Sequence, residues 1–128
     1  MMMKILIVDD EKFLVENLAR YLRKRMSAEI QYVSCPHTAL DLIQKEKFDL
    51  IICDLKISDQ IAGELLLKIT EIIPEQKFIV ISAQEIPENL ILKKKQNIAA
   101  YFEKPFNITG IEEKIKTLYK KELSHTEN

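Results

Sequence analysis

The sequence predicts an α/β fold in which a parallel sheet is covered by helices on both faces. Its 128 residues, 47% of them hydrophobic, suit one domain with a sizeable core. Five short apolar segments alternate with five segments of helical spacing, and the connections between them are short. Such alternation implies parallel strands joined by right-handed crossovers. The expected architecture is therefore a doubly wound (βα)5 sandwich.

Five segments are predicted as strands. The first, third and fourth are nearly continuous apolar runs, which is typical of strands buried between two helical layers. The second segment is more polar, which favours a position at the edge of the sheet. The predicted strands are residues 4–8, 30–33, 50–54, 78–81 and 98–102.

Five further segments carry apolar residues at helical spacing. Pro36 suits the first position of a helix, because the N–H that it lacks would have no partner there. Pro74 ends the third helix, and Asn107 can cap the fifth. The predicted helices are residues 11–26, 36–47, 65–73, 87–95 and 108–119.

Composition excludes several classes of protein. The net charge is −1 and the basic residues are spread along the chain, which argues against nucleic acid as the primary partner. With only Gly63 and Gly110, neither a dinucleotide-binding nor a P-loop glycine motif can be assembled. Cys35 and Cys53 lack metal-ligand spacing, and we expect buried or semi-buried reduced thiols. The apolar stretches are strand-sized and the N-terminus lacks a signal-peptide core, so a soluble, cytoplasmic protein is expected.

Polar side chains stand where the predicted strands stop, and the carboxyl ends of parallel strands share one crevice. Carboxylates brought that close repel one another unless a cation neutralises them, and Mg²⁺ prefers oxygen ligands. An aspartate there can attack phosphorus to give an acyl phosphate, while an ammonium and a hydroxyl stabilise the phosphoryl oxygens. Alternatively, the acids only cap the first helix and the other groups are structural, although their occurrence at four strand ends favours a site. The residues are Asp9, Asp10, Glu11, Asp54, Ser82 and Lys104.

Four motifs resemble those of the receiver domains of two-component response regulators, over residues 4–120. They are KILIVDDE (4–11), DLIICD (49–54), VISA (80–83) and YFEKPF (101–106). The resemblance implies a flavodoxin-like, CheY-like sheet of strand order 2-1-3-4-5. It also implies a receiver domain over residues 1–122, followed by a polar tail at 123–128.

The resemblance assigns a role to each matching residue. Asp54 is implied to be the phosphoacceptor, taking phosphate from a phosphohistidine of a sensor histidine kinase or phosphotransfer protein. Mg²⁺ is implied to be held by Asp9, Asp10, Asp54 and the backbone carbonyl of Lys56. Such a domain assists its own phosphorylation and dephosphorylation and is otherwise not an enzyme.

The remaining matches concern the response to phosphate. Lys104 is implied to pair with the phosphoryl oxygens, and Pro105 often follows through a cis peptide bond in relatives. Ser82 and Tyr101 are implied to form a switch that reshapes the surface of the fourth helix, fifth strand and fifth helix, about residues 86–120. That surface serves partner binding or homodimer formation in relatives, with no direct contact to nucleic acid or membrane.

Departures from the family pattern keep other functions open. Ser58 stands where a proline is usual and Ala62 where glycine is common, which allows a receiver-shaped interaction module that acts without phosphorylation. The chain is also compatible with the receiver part of a longer DNA-binding or ATPase regulator. A small aspartyl-nucleophile hydrolase is disfavoured, because Lys56 occupies the position of its second catalytic carboxylate.

Overall fold

Five parallel strands form a single sheet in the computed structural model, which describes residues 2–55, 64–83 and 96–119. The strand order is β2-β1-β3-β4-β5, and every neighbouring pair is parallel. This confirms the predicted fold class and order, including the edge position of the second strand. The strands are β1 (Met3–Val8), β2 (Ala28–Val33), β3 (Leu50–Asp54), β4 (Phe78–Ser82) and β5 (Ile98–Glu103).

Four helices are described, and both ends of each were predicted to within two residues. The predicted helix at 87–95 and the tail at 123–128 lie outside the described residues. No helix in the described ranges is both long and apolar enough to cross a membrane. The helices are α1 (Lys12–Arg25), α2 (Pro36–Lys45), α3 (Glu64–Ile72) and the C-terminal helix (Ile108–Leu118).

Side chains of the central strands point alternately to the two faces of the sheet and form a separate hydrophobic core on each face. On one face, Leu6, Ile51 and Val80 pack with buried residues of α2 and α3. On the other, Ile7 and Ile52 pack with buried residues of α1 and the C-terminal helix. Burial on both faces explains why these strands are continuous apolar runs, and it confirms the doubly wound architecture.

Local signals at the helix starts are also confirmed. Pro36 occupies the first turn of α2. The Asn107 side chain accepts a hydrogen bond from the backbone N–H of Thr109, at 3.1 Å, and so caps the C-terminal helix.

One expectation for the cysteines was wrong. Cys53 is fully buried in β3, and burial raises the pKa of its thiol. Cys35 is instead exposed, because it lies between the edge strand β2 and the start of α2, beyond the last covered strand. Hydrogen bonds from the backbone N–H groups of Thr38 and His37 lower the pKa of the Cys35 thiol.

A buried acid joins α1 to the C-terminal helix. Glu112 accepts hydrogen bonds from the Tyr21 hydroxyl, at 2.8 Å, and from Arg25 Nε, at 3.1 Å. Its carboxylate also lies 2.9 Å from Nζ of Lys116, one turn further along the same helix. The hydrogen bonds from Lys116, Tyr21 and Arg25 together lower the pKa of Glu112 to about 2.

The stability conferred by Glu112 should depend on pH. Because its pKa in the folded protein lies below the ordinary value of 4.5, its contribution is present above pH 4.5 and is lost as pH falls toward about 2. We expect the difference in unfolding free energy between the wild type and Glu112→Gln to be largest above pH 4.5 and to shrink toward pH 2. Urea denaturation across this range measures it.

Glu113→Gln supplies the matched control, since Glu113 is the exposed neighbour of Glu112 on the same helix. It should change the unfolding free energy little at any pH. An equal pH dependence in both variants would contradict the role given to the buried carboxylate.

Candidate functional site

The strand order brings the predicted polar residues to one edge of the sheet. Val8 of β1 pairs with Cys53 of β3, so Asp9 and Asp54 follow at the same level of neighbouring strands. Ser82 ends β4 beside β3, and the backbone N–H of Lys104 donates to the Ser82 carbonyl, at 2.7 Å. The crevice expected from the sequence is therefore present.

Three aspartates converge at this edge. Asp9, Asp10 and Asp54 each offer a carboxylate oxygen, and the three oxygens lie within 4.8 Å of one another. Asp9 and Asp54 are buried, whereas Asp10 is exposed. The N-cap residue of α1 is Glu11, and its own side chain makes no capping hydrogen bond.

The ammonium of Lys104 is the centre of the charged cluster. Its Nζ lies 2.9 Å from Oδ2 of Asp9, from Oε1 of Glu11 and from Oδ2 of Asp54. Burial lowers the pKa of Lys104, but hydrogen bonds to the three carboxylates outweigh it and leave the pKa above its ordinary value. The side chain is only 8% exposed, so a charged ammonium is held among acids at the strand ends.

Backbone geometry fixes where this ammonium stands. Lys104 directly follows β5, and its main-chain bond to Ser82 continues the β4–β5 pairing past the end of the strand. The bond to Pro105 is cis, as the family resemblance implied.

Asp9 has the environment of a cation ligand. Burial raises the pKa of its carboxyl, and the charge of Asp54 adds to the effect, while the Glu11 N–H and Lys104 oppose it. Oδ1 accepts from the Glu11 N–H, at 2.9 Å. Within the described ranges no aligned donor serves the buried Oδ2, although Nζ of Lys104 forms an ion pair with it.

These features fit a hard divalent cation. Among the described residues, the four carboxylates of Asp9, Asp10, Glu11 and Asp54 lie at this edge with the ammonium of Lys104, and their negative charge exceeds its positive charge. An all-oxygen donor set, with three aspartate oxygens within 4.8 Å of one another, is the environment in which Mg²⁺ is bound.

The two predicted switch residues lie on one face of the sheet. Ser82 is buried at the end of β4, and Tyr101 is 52% exposed in β5. Tyr101 pairs with Val80, which shares its face of β4 with Ser82 because side chains alternate along a strand. Lys56, with the family departures Ser58 and Ala62, lies outside the described residues.

Sequence reasoning missed the role of Glu11. It was counted among the acids at the strand ends but given no specific role, whereas the structure makes it a partner of Lys104. The available signal was its position directly after Asp9 and Asp10, at the start of α1.

Comparisons with known proteins identify the family of this chain. The family model for the response regulator receiver domain matches residues 5–116. Sporulation initiation phosphotransferase F of Bacillus subtilis is 29% identical over 113 residues, covering 88% of this chain and 90% of that protein. A response regulator receiver protein of an Anaeromyxobacter strain is 29% identical over 110 residues, covering 86% of this chain. The chain spans about half the length of that relative, 46%.

Solved structures show the same fold. The crystal structure of a CheY-like response regulator receiver domain protein from Methanospirillum hungatei superposes with a TM-score of 0.83 at 27% identity, covering 98% of this chain and 99% of that one. The family model spans most of the sequence, from β1 into the C-terminal helix. The chain therefore belongs to the response regulator receiver domains, the phosphorylatable domains of two-component signalling.

Proposed function

We propose that Asp54 accepts a phosphoryl group from a phosphohistidine of a sensor histidine kinase or a phosphotransfer protein, and that the phosphorylated domain relays the signal. The observation that carries the proposal is the contact between Oδ2 of Asp54 and the ammonium of Lys104, at 2.9 Å, inside the aspartate cluster. A carboxylate that only supported the fold would not need two further acids beside it. The intact set favours this function over an interaction module that acts without phosphorylation.

The proposed reaction moves one phosphoryl group. A carboxylate oxygen of Asp54 forms a bond to phosphorus, the bond from phosphorus to the histidine nitrogen breaks, and its electron pair returns to the imidazole. The backbone N–H of Leu55 donates to the Ile81 carbonyl, at 3.1 Å, which fixes the end of β3. Asp54 is thereby presented in a defined position, which favours attack.

Lys104 supplies positive charge where the phosphoryl oxygens would arrive. Its raised pKa keeps the ammonium protonated at neutral pH, and its three carboxylate contacts hold it in place. A preorganised cation of this kind stabilises charge that develops during transfer. In the phosphorylated state, the ammonium can exchange its contact with Asp54 for the phosphoryl oxygens.

Asp9, Asp10, Asp54 and the backbone carbonyl of Lys56 are the proposed ligands of Mg²⁺. When bound, the ion would neutralise the excess negative charge of the carboxylates and of the incoming phosphoryl group. The convergence of oxygens from Asp9, Asp10 and Asp54 within 4.8 Å of one another supports this assignment.

The proposed output depends on Ser82 and Tyr101. The Ser82 hydroxyl would bond the phosphoryl group, and the movement would make room for the exposed Tyr101 ring to turn inward. The surface at about residues 86–120 would then bind a partner or a second copy. We place this domain in the cytoplasm, and its two free cysteines support that location because disulfides are rare there. The domain would act as a phosphoacceptor that assists its own phosphorylation and dephosphorylation.

Mg²⁺ should stabilise the folded protein. Binding to the native state raises the unfolding free energy by about 1.4 kcal/mol when Mg²⁺ is roughly tenfold above its dissociation constant. Asp9→Asn should lose most of this response because it removes a buried ligand, yet it should stabilise the metal-free protein by relieving repulsion. Thermal unfolding at constant ionic strength, with and without Mg²⁺, measures both effects.

The matched control is Asp41→Asn, which removes an exposed acid on α2. It should keep the full response to Mg²⁺. A response of Asp9→Asn equal to that of the wild type would exclude Asp9 as a ligand.

Asp54 should be the residue that gains phosphate. On incubation with Mg²⁺ and acetyl phosphate, the wild type and Asp41→Asn should gain one phosphoryl group by intact-protein mass spectrometry, and Asp54→Asn should gain none. Lys104→Gln should slow the reaction by roughly a hundredfold, because one preorganised cation is lost. Uptake by Asp54→Asn at the rate of the wild type would refute the assignment.

Tyr101 should become protected from solvent when the site is filled. Fluorotyrosine labelling gives one ¹⁹F signal for each of the four tyrosines, and beryllofluoride mimics the phosphoryl group. We expect the solvent isotope shift of Tyr101 to decrease and that of Tyr32, which is also exposed, to stay constant. The decrease should disappear in Ser82→Ala, and its persistence there would exclude the proposed coupling.

A further inference from the structure

A cleft of about 520 Å³ lies between α1 and the edge strand β2. Glu16, Arg20, Arg23 and Lys24 line it from the helix, and Tyr32 lines it from the strand. Arg20 lies four residues after Glu16, and Arg23 and Lys24 lie three and four residues after Arg20. At these spacings the four side chains share one face of α1. Tyr32 is 44% exposed, because no strand or helix in the described ranges covers the sheet beyond β2.

The charge of this cleft is unlike that of the whole chain. Three cations face one carboxylate in the cleft, although the protein carries a net charge of −1. None of the ion pairs formed among the described residues involves Arg20, Arg23 or Lys24. The neighbouring Arg25, by contrast, is paired with Glu112. Among the described residues, the cleft therefore presents positive charge that no acid pairs with.

One of the cations is held in place. Arg23 donates from Nη2 to the backbone carbonyl of Ile30 on β2, which ties the guanidinium to the strand. The guanidinium has further N–H groups in a rigid planar fork, and such a fork matches phosphate oxygens. A side chain fixed by the backbone loses less conformational entropy on binding than a free one.

We propose that this cleft binds a phosphorylated nucleotide such as a nucleoside triphosphate. Arg20, Arg23 and Lys24 would hold the phosphates, and the Tyr32 ring would stack on the base. Glu16, at the other end of the helical face, would accept hydrogen bonds from sugar hydroxyls or a base amino group. The volume lies within the range of small-molecule sites.

A nucleotide fits these residues better than an acidic protein segment does. An acidic segment would bring its own carboxylates against Glu16 and would have no need of an exposed aromatic ring. A nucleotide would contact all of these groups, because its phosphates pair with the cations, its base stacks on the ring and its hydroxyl or amino groups donate to the acid. The cleft shares no residue with the aspartate cluster, so this proposal is independent of phosphorylation at Asp54.

The test is a titration of ¹⁵N-labelled protein with ATP in EDTA, which removes metal-bridged binding at the aspartates. We expect saturable shifts in the amides of residues 16–24 and 30–33, with a dissociation constant in the millimolar range or below. Arg20→Gln/Lys24→Gln should weaken ATP binding by about tenfold or more, because two charged contacts are lost. Both side chains are exposed, so the fold should be retained.

The matched control is Lys45→Gln/Lys47→Gln, which removes two exposed charges at the end of α2 and leaves the cleft intact. It should change the affinity by less than about twofold, since screened charges outside the cleft act weakly. An equal loss in both double variants would show nonspecific attraction and overturn the proposal. Absence of saturable shifts in α1 and β2 would overturn it as well.

Two further probes separate a nucleotide from a simple polyanion. ATP should bind more tightly than inorganic tripolyphosphate, and Tyr32→Leu should abolish that preference because it removes the stacking surface. Equal affinities that Tyr32→Leu leaves unchanged would overturn the nucleotide assignment. Binding of polyglutamate without binding of ATP would assign the cleft to an acidic protein partner and also overturn it.

Discussion

The ammonium of Lys104 holds together the ends of three strands. It reaches Asp9 after β1 and Asp54 at the end of β3, although it belongs to the segment after β5. In a sheet of order β2-β1-β3-β4-β5, this contact spans β4, which contributes the carbonyl of Ser82 to the Lys104 backbone. Main-chain pairing with β4 therefore anchors the cation that contacts these two buried acids.

The same contact sets an energetic balance. In the described part of the chain, the Lys104 ammonium faces four carboxylates that it cannot neutralise alone, and burial raises the pKa of Asp9 even with Lys104 beside it. Residual repulsion is therefore built into the strand ends, whereas the apolar layers beneath them are fully packed. The packed layers thus support a site in which a bound cation would relieve the repulsion between carboxylates. Unfavourable local interactions of this kind are often found at functional sites.

The positions of most strands and helices could be predicted from the sequence, because each depends on a local pattern with a known physical cause. The strand through Ile7 and the strand through Ile52 are apolar on both faces because helices cover both, and Asn107 signals a helix start by itself. Strand order came from the family resemblance, since a local pattern does not say which strands are neighbours.

Contacts between residues far apart in the sequence could not be predicted from it. Glu112 looks like any acid on an amphipathic helix, and its burial depends on Tyr21 and Arg25, about ninety residues earlier. The exposure of Cys35 likewise follows from the end of the sheet at β2. The aspartates and Lys104 were predicted as a site from their strand-end positions, while the pairing of Lys104 with Glu11 required the structure.

The position of Lys104 in the chain has a consequence for synthesis on the ribosome. Asp9 and Asp54 emerge long before Lys104, whereas a domain generally folds as a unit. An early pairing of β1 with β3 would bring these acids together without their internal cation, so charge opposes closure of the half-made sheet. The ion pairs of Lys104 with Asp9 and Asp54 can form only after β5 has been synthesised. The repulsion between the two acids is therefore relieved from within the protein only when the last strand joins the sheet.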